Sequence, residues 1–260
     1  MMRSLWTAAS GMVAQQLNID TISNNLANVN TLSFKRSRAE FEDLMYQTLN
    51  IAGNQNQAGN RAPTGLQVGM GVRPTTAHKF FKQGDFQNTG NTLDVSIEGE
   101  GFFQVDMNGQ TAYTRAGSFK LDENGQLVTS KGYPLQPAFN VPPETDNIVI
   151  SNDGHIAALD SSGNELAGAD IPVYLFANPA GLNSTGGNLY LETEASGAAQ
   201  ESIPGMDNAG QLTQGFLEMS NVEIVEEMVN MIVAQRAFET NSKAITTSDQ
   251  MLQTANQLVR

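Results

Sequence analysis

The stretch LWTAASGMVAQQLNIDTISNNLANV (residues 5–29) decides the fold, because its apolar residues recur at a helical spacing. One row repeats every seventh position, at Leu5, Met12, Ile19 and Leu26. A second row lies three residues further on, at Ala8, Gln15, Ile22 and Val29. This is the a/d pattern of a coiled-coil seam, so the sequence predicts an N-terminal helix about 40 Å long.

The C-terminus carries the same seven-residue repeat. Its row is Ile224, Met231, Phe238, Ile245, Leu252 and Val259. The preceding Ser220-Asn221-Val222-Glu223 has the capping-box pattern, a serine followed three residues later by a glutamate, which predicts that the helix begins there. We expect the two terminal helices to pair as a coiled coil.

The faces of the N-terminal helix away from the seam are unusually poor in charge. Between Ser4 and Asn30 the one charged residue is Asp20, whereas a solvated helix face usually carries Lys and Glu. Neutral polar faces suit burial against other protein, where charges would cost desolvation energy. Our hypothesis is that these helices also pack against neighbouring subunits and order on assembly; an ordinary core-facing helix is the alternative.

Composition excludes several functional classes. The chain has 260 residues and a net charge of −13, all of it within residues 41–219; residues 1–40 carry +2 and residues 220–260 carry −2. Such acidity argues against nucleic-acid binding. The absence of cysteine excludes disulfides, thiol catalysis and zinc–thiolate sites. No apolar run is long enough for membrane insertion, and the N-terminus lacks the apolar region of a cleavable signal peptide.

The middle of the chain is predicted to be β structure. Tight hairpin turns are indicated by Asn108-Gly109, Asn124-Gly125 and Asp153-Gly154. The strands that we expect are Val95–Ile97, Phe102–Val105, Ala112–Thr114, Phe119–Leu121, Gln126–Val128, Ile148–Ile150, Ile156–Leu159, Val173–Phe176 and Leu189–Leu191. The sequence leaves two segments with alternative interpretations. Residues 41–46 are either a short helix or an extended arm. Residues 50–65 are either a loop wedged between neighbouring subunits or a flexible tether.

Little in the chain points to catalysis. The turns after Asp106 and Asp122 partly match a calcium loop, but the glycine and the final acidic position are misplaced. The two histidines, His78 and His155, leave a spatial triad possible in principle, yet each is alone in sequence. We therefore expect no catalytic, cofactor-binding or metal site.

The predicted fold class is α+β, with long terminal helices paired as a coiled coil, an extended connecting arm and a central antiparallel β domain. The corresponding domains are residues 1–35 for the N-terminal half of the helical core, 36–75 for the arm, 76–215 for the β domain and 216–260 for the C-terminal half of the core.

Residues 24–35, NNLANVNTLSFK, strongly resemble the N-terminal signature of bacterial flagellar rod and hook subunits, which reads approximately N-N-L-A-N-x-x-T-x-G-F-K. The matching residues are Asn25, Leu26, Ala27, Asn28, Thr31, Phe34 and Lys35. Ser33 departs from the pattern, which usually has glycine there, so the turn could differ in shape.

Other segments resemble the distal-rod branch of this family. They are residues 41–47, 65–72 and 226–239, and residues 99–103 match the β domain of the family. The stretch from about residue 46 to 71 resembles a rod-specific insertion that the family is thought to use for stiffness. The arm residues singled out by this resemblance are Tyr46, Gln47, Gly65, Leu66, Gln67, Val68, Gly69 and Gly71.

The resemblance implies a structural subunit that polymerises helically into a rigid hollow shaft across the periplasm, which transmits torque from motor to hook and carries the export channel. The implied partners are other copies of the chain, proximal rod subunits, hook-side subunits, the peptidoglycan-ring and outer-membrane-ring proteins, and the flagellar type III export machinery. Alternatives are a proximal rod or hook subunit, a non-flagellar coiled-coil adaptor with a β head, and, third, an enzyme.

Overall fold

The computed structural model describes residues 2–51, 64–206 and 208–258. The chain divides into two compact units. The helical unit consists of Met1–Ala27, Ser37–Lys79 and Glu223–Arg260. The β unit consists of Asn28–Arg36 and Phe80–Val222. The α+β class predicted from the sequence is therefore confirmed, with a helix at each end and a central β region.

The helical unit contains two long helices and four strands. These elements are α1 (Met2–Ala27), β1 (Ser37–Asp43), β2 (Tyr46–Asn50), β3 (Leu66–Gly69), β4 (Val72–Lys79) and α2 (Ile224–Leu258). The antiparallel pairs are β1 with β4 and β2 with β3.

The two helices run antiparallel along one another. The Ser4 hydroxyl lies 3.4 Å from that of Ser248 at one end, and Asn25 bonds to Glu227 at the other. Between them, Gly11 leaves room for the Asn241 side chain: a Cβ atom at Gly11 would lie 2.9 Å from the Asn241 amide nitrogen. A glycine that weakens an isolated helix thus permits close packing here. On another side, α1 contacts β1 and β4.

The arm consists of two antiparallel strand pairs, β1 with β4 and β2 with β3, and not of a helix. Phe41 lies within β1 and Tyr46 begins β2, so the helical interpretation of residues 41–46 is wrong and the extended one is correct. The β2–β3 hairpin is largely exposed. Most of the predicted loop of residues 50–65 lies outside the described residues, which do not include residues 52–63.

The β unit contains sixteen short strands and one 3-10 turn, Pro179–Gly181. The strands are β5 (Phe86–Asn88), β6 (Val95–Glu98), β7 (Phe103–Met107), β8 (Gln110–Thr114), β9 (Lys120–Leu121), β10 (Leu127–Val128), β11 (Leu135–Gln136), β12 (Asn147–Ile150), β13 (His155–Leu159), β14 (Glu165–Asp170), β15 (Val173–Leu175), β16 (Asn183–Gly186), β17 (Leu189–Leu191), β18 (Gln200–Ser202), β19 (Gln211–Gln214) and β20 (Phe216–Glu218). Every ladder between these strands is antiparallel, as predicted.

Two sheets organise the β unit. One has the order β11-β7-β8-β17-β16 and the other the order β12-β13-β14. Residues of these two sheets and of the strand pairs β6–β19 and β15–β18 enter one apolar core, whose fully buried members include Ile97, Phe103, Val105, Leu135, Ile156, Val173 and Leu212. The turn between β7 and β8 has positive φ at both Asn108 and Gly109, 56° and 87°, which is the mirror-image turn that matches strand twist.

Several helix boundaries differ from the sequence prediction. Because α1 ends at Ala27, Val29 lies in the following turn and not in the helical seam. The capping box does not form: α2 begins at Ile224, and the Ser220 hydroxyl accepts from the amide of Val222 instead. Ile224 is exposed, since it lies beyond the level at which α1 ends. Val259 lies outside the described residues.

The units also divide the chain differently from the predicted domains. Residues 28–36 and 216–222 belong with the β unit, although the sequence placed them wholly or mostly with the helices. Residues 37–79 belong with the helices. The reason is a buried hydrogen-bonded network that ties residues 33–36 to residues 218–221 inside the β unit.

Candidate assembly site

The helices α1 and α2 contact each other, and we call the surface between them the seam. Among the buried or half-buried residues are Leu5, Met12, Ile19, Ile22, Leu26, Met231, Phe238, Ile245 and Leu252. Polar residues interrupt this surface, notably Ser4, Asn25, Asn241 and Ser248. The seam therefore combines apolar packing with hydrogen bonds that set the register of the two helices.

A second apolar surface on α2 faces away from the seam. We call it the outer stripe; it consists of Val225, Met228, Val229, Ile232 and Val233, which are 51–76% exposed. These residues follow the i, i+3, i+4, i+7 spacing of one helix face. The seam residues at the same level, Glu227, Met231 and Ala234, lie on the opposite side. The start of α2 is thus apolar on two faces, and its own chain covers one.

The corresponding exposed apolar residues on α1 are Trp6 and Val13, seven positions apart. Trp6 is the single tryptophan of the chain and is 76% exposed, and Val13 is 63% exposed. A large aromatic side chain left this accessible on a regular helix is a common mark of a contact with another molecule.

Asn25, from the signature, joins three elements of the helical unit. Its amide nitrogen donates to the Ser37 carbonyl at 2.7 Å, and the Ser37 amide donates to its side-chain oxygen at 2.9 Å. The same nitrogen also donates to Glu227 Oε2 at 3.2 Å, in a buried setting. Asn25 thereby satisfies buried polar groups of α1, β1 and α2 together.

Lys35, the last signature residue, lies at the centre of a buried charge cluster in the β unit. Its ammonium, which is inaccessible to solvent, donates to Glu218 Oε1 at 2.6 Å and to the Lys82 carbonyl at 2.8 Å. The Arg115 guanidinium donates to Glu218 Oε2 at 2.5 Å and to the carbonyls of Gly99 and Gly101 at 2.5 and 3.0 Å. One carboxylate therefore pairs with two buried cations, one through each of its oxygens.

The chain enters or leaves the β unit at residues 28–36, 80–82 and 218–222, and Asn221 joins these segments. Its side-chain oxygen accepts from the Arg36 amide at 2.8 Å, and its nitrogen donates to the carbonyls of Phe80 and Lys82, both at 2.9 Å. The Phe80 amide donates to the Arg36 carbonyl at 2.9 Å. We call this cluster, with Lys35, Arg115 and Glu218, the anchoring network.

Ser33 shows how the chain replaces the glycine usual in the signature. Its φ is 54°, a left-handed conformation that favours glycine. The hydroxyl of this buried serine donates to the Arg115 carbonyl at 3.0 Å, and its amide donates to the Glu218 carbonyl at 2.8 Å. These hydrogen bonds stabilise the left-handed turn and offset the steric cost of a positive φ at a residue that has a Cβ atom. Three further signature residues, Asn28, Thr31 and Phe34, form the turn around Ser33. The Thr31 hydroxyl donates to Asn28 Oδ1 at 3.1 Å, and the Phe34 amide donates to the Thr31 carbonyl.

The electrostatics of the anchoring network follow from its burial. Burial, and then the neighbouring Arg115 guanidinium, lower the pKa of Lys35 to about 8, while the Glu218 carboxylate opposes that shift. Burial likewise raises the pKa of the nearby Tyr190 phenol to about 12. The network thus sits in a poorly solvated interior, where its ion pairs are screened little and an unpaired charge would be costly.

The predicted arm residues line the exposed hairpin. Tyr46 pairs with Gly69 and Gln47 with Val68 in the β2–β3 ladder. Tyr46, Gln47, Gly65, Leu66 and Gln67 are exposed, while Val68, Gly69 and Gly71 are half-buried. Gly71 has φ of 118°, and a Cβ there would collide with the Ser10 hydroxyl of α1. The base of the arm is therefore fixed tightly against α1.

Of the two histidines considered for catalysis, His155 lies beside two acidic side chains. Both ring nitrogens of the exposed His155 face carboxylates, Asp170 at 2.7 Å and Glu165 at 3.4 Å, and the Asp170 hydrogen bond raises its pKa. Within the described part of the chain, no three His, Asp or Glu residues are grouped as metal ligands. No helix in residues 2–51, 64–206 and 208–258 has the length and apolarity of a membrane span.

Three family models match the chain in three separate segments. They are described as flagella basal body rod protein (residues 5–35), flagellar hook protein FlgE/F/G D1 domain (residues 96–158) and flagellar basal body rod FlgEFG protein C-terminal (residues 213–258). Each segment contains one charged member of the anchoring network: Lys35, Arg115 and Glu218.

Full-length relatives decide the family. Flagellar basal-body rod protein FlgG of Borreliella burgdorferi is 52% identical over 264 residues, with 100% of each chain covered. The chain belongs to the FlgG family of flagellar basal-body rod proteins. The FlgG proteins of Buchnera aphidicola from Schizaphis graminum (50% identical, 99% of this chain and 100% of the relative) and Bacillus subtilis (42%, 97% of each) agree.

The sequence analysis did not predict three parts of this FlgG-family site: the anchoring network, Glu227 and the outer stripe. Glu218, Arg115 and Asn221 gave no local signal as a network, because buried ion pairs form between residues far apart in the chain. Glu227 lay in a segment noted only for its resemblance. The outer stripe was readable in principle, since Val225, Val229 and Ile232 follow a helical spacing beside the seven-residue row.

Replacing Glu218 with alanine tests the anchoring network. The substitution leaves Lys35 and Arg115 buried without their carboxylate, so the free energy of unfolding of the β unit should fall by about 3–5 kcal/mol. Urea denaturation followed by near-ultraviolet circular dichroism of the tyrosines measures it. The matched control is Glu165→Ala, which removes an exposed carboxylate paired with His155 and should cost under about 1 kcal/mol. Equal losses in the two variants would contradict the network's role.

The Lys35 ammonium predicts a pH dependence of stability. Its pKa is lowered from 10.5 to about 8 on folding, so between these values the unfolded chain binds more protons than the folded one. This group therefore stabilises the fold as pH rises from 8 towards 10.5, and that contribution is lost as pH falls through 8. Relative to Lys35→Met, which does not titrate, the wild type should gain up to about 1 kcal/mol per pH unit in this window. Parallel stability profiles for the two proteins would exclude the lowered pKa.

Proposed function

We propose that this chain is a structural subunit of the distal rod, which polymerises helically into a rigid hollow shaft that transmits torque from motor to hook and carries the export channel. Family membership supports the general assignment. The observation that carries the polymerisation argument is the outer stripe: five adjacent apolar side chains on α2 that the chain itself leaves exposed.

In this proposal α1 and α2 form an antiparallel coiled-coil pair, and these pairs pack side by side to build the wall of the shaft. Support comes from the a/d rows in the seam and from the hydrogen bonds at both of its ends. The faces of α1 outside the seam carry only two charges, Arg3 and Asp20, so burying most of that surface between copies would cost little desolvation energy. The strongly acidic middle of the chain suits a solvated outer position.

The anchoring network contributes stiffness within each subunit. Torque applied to a subunit acts on the three segments by which the chain enters or leaves the β unit. Because Asn221, Lys35 and Glu218 tie those segments together in a buried setting, they resist being pulled apart separately. We therefore assign the network a mechanical role and the chain no catalytic one.

The proposed partners follow from the family assignment. They are further copies of the chain, proximal rod subunits, hook-side subunits, the ring proteins of the peptidoglycan layer and outer membrane, and the type III export machinery. The proposed location is the basal-body rod across the periplasm. The full-length matches to FlgG proteins favour this over a proximal rod subunit, a hook subunit or a free-standing adaptor.

Substituting Ile232 in the outer stripe by glutamate tests polymerisation. A carboxylate buried in an apolar contact costs a few kcal/mol, so the protein concentration needed for polymerisation should rise at least about 100-fold. Sedimentation and electron microscopy of the purified chain measure that concentration. The control, Gln250→Glu, adds the same charge at an exposed position of α2 outside the stripe, and it should change the concentration less than about threefold. Normal assembly of the Ile232 variant, with unchanged helix content, would refute the stripe as an interface.

Deleting residues 46–65 tests the arm. We expect the deleted protein to form softer or bent polymers, because the exposed hairpin would no longer bridge neighbouring copies. Persistence length measured from electron micrographs is the readout. A milder variant, Leu49→Ser with Leu66→Ser, keeps the hairpin but removes two exposed apolar side chains, and it should soften the polymer less. Polymers of unchanged stiffness from the deletion variant would remove the arm from the mechanism.

A further inference from the structure

The helix pair exposes two apolar surfaces of different composition at different levels along its length. One is the outer stripe at the start of α2. The other is the N-terminal patch on α1, which we define as Trp6 and Val13. The antiparallel register places Trp6 near the level of residue 246 of α2, because Ser4 lies beside Ser248 and Gly11 beside Asn241.

Within one chain the two surfaces cannot meet. The level of Trp6 is about 25 Å from that of Val229, at 1.5 Å per residue along α2. The outer stripe points away from α1, since the residues of α2 that face the seam at that level are Glu227, Met231 and Ala234. Within the part of the chain that the structure describes, both Trp6 and the stripe stay exposed, and a second copy of the chain could cover them.

The charges bordering the two surfaces are complementary. Arg3, the one cation of α1, lies a single turn before Trp6 and is exposed. Glu226, an exposed carboxylate in the first turn of α2, borders the outer stripe one position after Val225. A positive charge therefore flanks the aromatic patch and a negative charge flanks the aliphatic stripe. Unlike charges at matching ends favour one pairing and its orientation.

We propose that the N-terminal patch of one copy packs against the outer stripe of a second copy, with Arg3 beside Glu226 and Trp6 as the central anchor. This deepens the proposed function, on which it rests, by naming the two surfaces that join neighbouring subunits. The indole supplies a large rigid apolar group, and the Val, Ile and Met side chains of the stripe supply an adaptable surface for it.

The pairing has a geometric consequence. Two different surfaces meet, so the contact is heterologous, and each copy keeps one free patch and one free stripe after joining a neighbour. Such a contact continues from copy to copy and gives an open filament. A stripe that paired with another stripe would instead close into a two-fold dimer.

Cysteine cross-linking tests the pairing directly, because the chain contains no cysteine. Val13→Cys and Val233→Cys change side-chain size little and keep both Trp6 and Ile232. Each variant carries a single thiol, so any cross-link joins two molecules. We would mix the two variants, one of them labelled with ¹⁵N, assemble them, treat with a short bis-maleimide and identify the products by mass. Val13→Cys mixed with Gln250→Cys is the control.

The expected product is the mixed dimer of the Val13 and Val233 variants, at least tenfold above the Gln250 control and above either variant alone. Polymers that form without this dimer, or that yield mainly Val233–Val233 dimers, would overturn the pairing and leave the proposed function standing. If the wild-type chain forms no polymer at all, the proposed function fails and the pairing fails with it.

The charge pair gives an independent measurement. Arg3→Glu should raise the concentration needed for polymerisation at least about tenfold, and combining it with Glu226→Arg in the same chain should restore most of that loss. Because the lone tryptophan is exposed in the single chain, its fluorescence emission should also shift to shorter wavelength on assembly. Unchanged emission in assembled polymers would show that Trp6 stays in water and would contradict the proposal.

Discussion

The ion pairs of the buried Glu218 carboxylate are the interaction on which the organisation of the β unit at its chain entry and exit segments depends. The carboxylate pairs with two buried cations, Lys35 and Arg115, whose burial without a carboxylate would cost desolvation energy. Beside it, Asn221 links the chain segments that lead into and out of the β unit. The peptide leaving α1 and the peptide entering α2 are thus fastened to the same core.

A second constraint is that the residues which the structure describes leave part of both helices uncovered. The seam uses one face of each helix, β1 and β4 contact α1, and the first three turns of α2 keep an exposed apolar stripe. In a free-standing protein such a surface would be a liability, because it invites non-specific association. In the proposed helical shaft the same surface would form the contact between copies, and repetition of many modest contacts would produce stiffness.

The helices and hairpins could be predicted from sequence because their signals are local. The seven-residue rows fixed both helices, and Asn108-Gly109 marked a hairpin whose turn has the required positive φ angles. Strands such as Ser37–Asp43, rich in charge, and Val72–Lys79, which contains a proline, lack the alternation that reveals a strand. The anchoring network was missed for another reason: Lys35 and Glu218 are 183 residues apart, and nothing local marks a buried ion pair. Ser33 could be predicted in part. The sequence shows a serine where the family pattern has glycine, but it does not show the hydrogen bonds that compensate for the left-handed backbone.

The central claim is that neighbouring copies of the chain bury the exposed helix surfaces. Its most direct test is amide hydrogen exchange, measured by mass spectrometry on the dilute monomer and on the assembled polymer. We expect protection to rise strongly on assembly in peptides covering residues 2–13 and 224–233, and to change little in the core strands β7, β8 and β13. Equal protection of both helix segments in monomer and polymer would mean that other copies do not cover them, and the proposed assembly surface would be wrong.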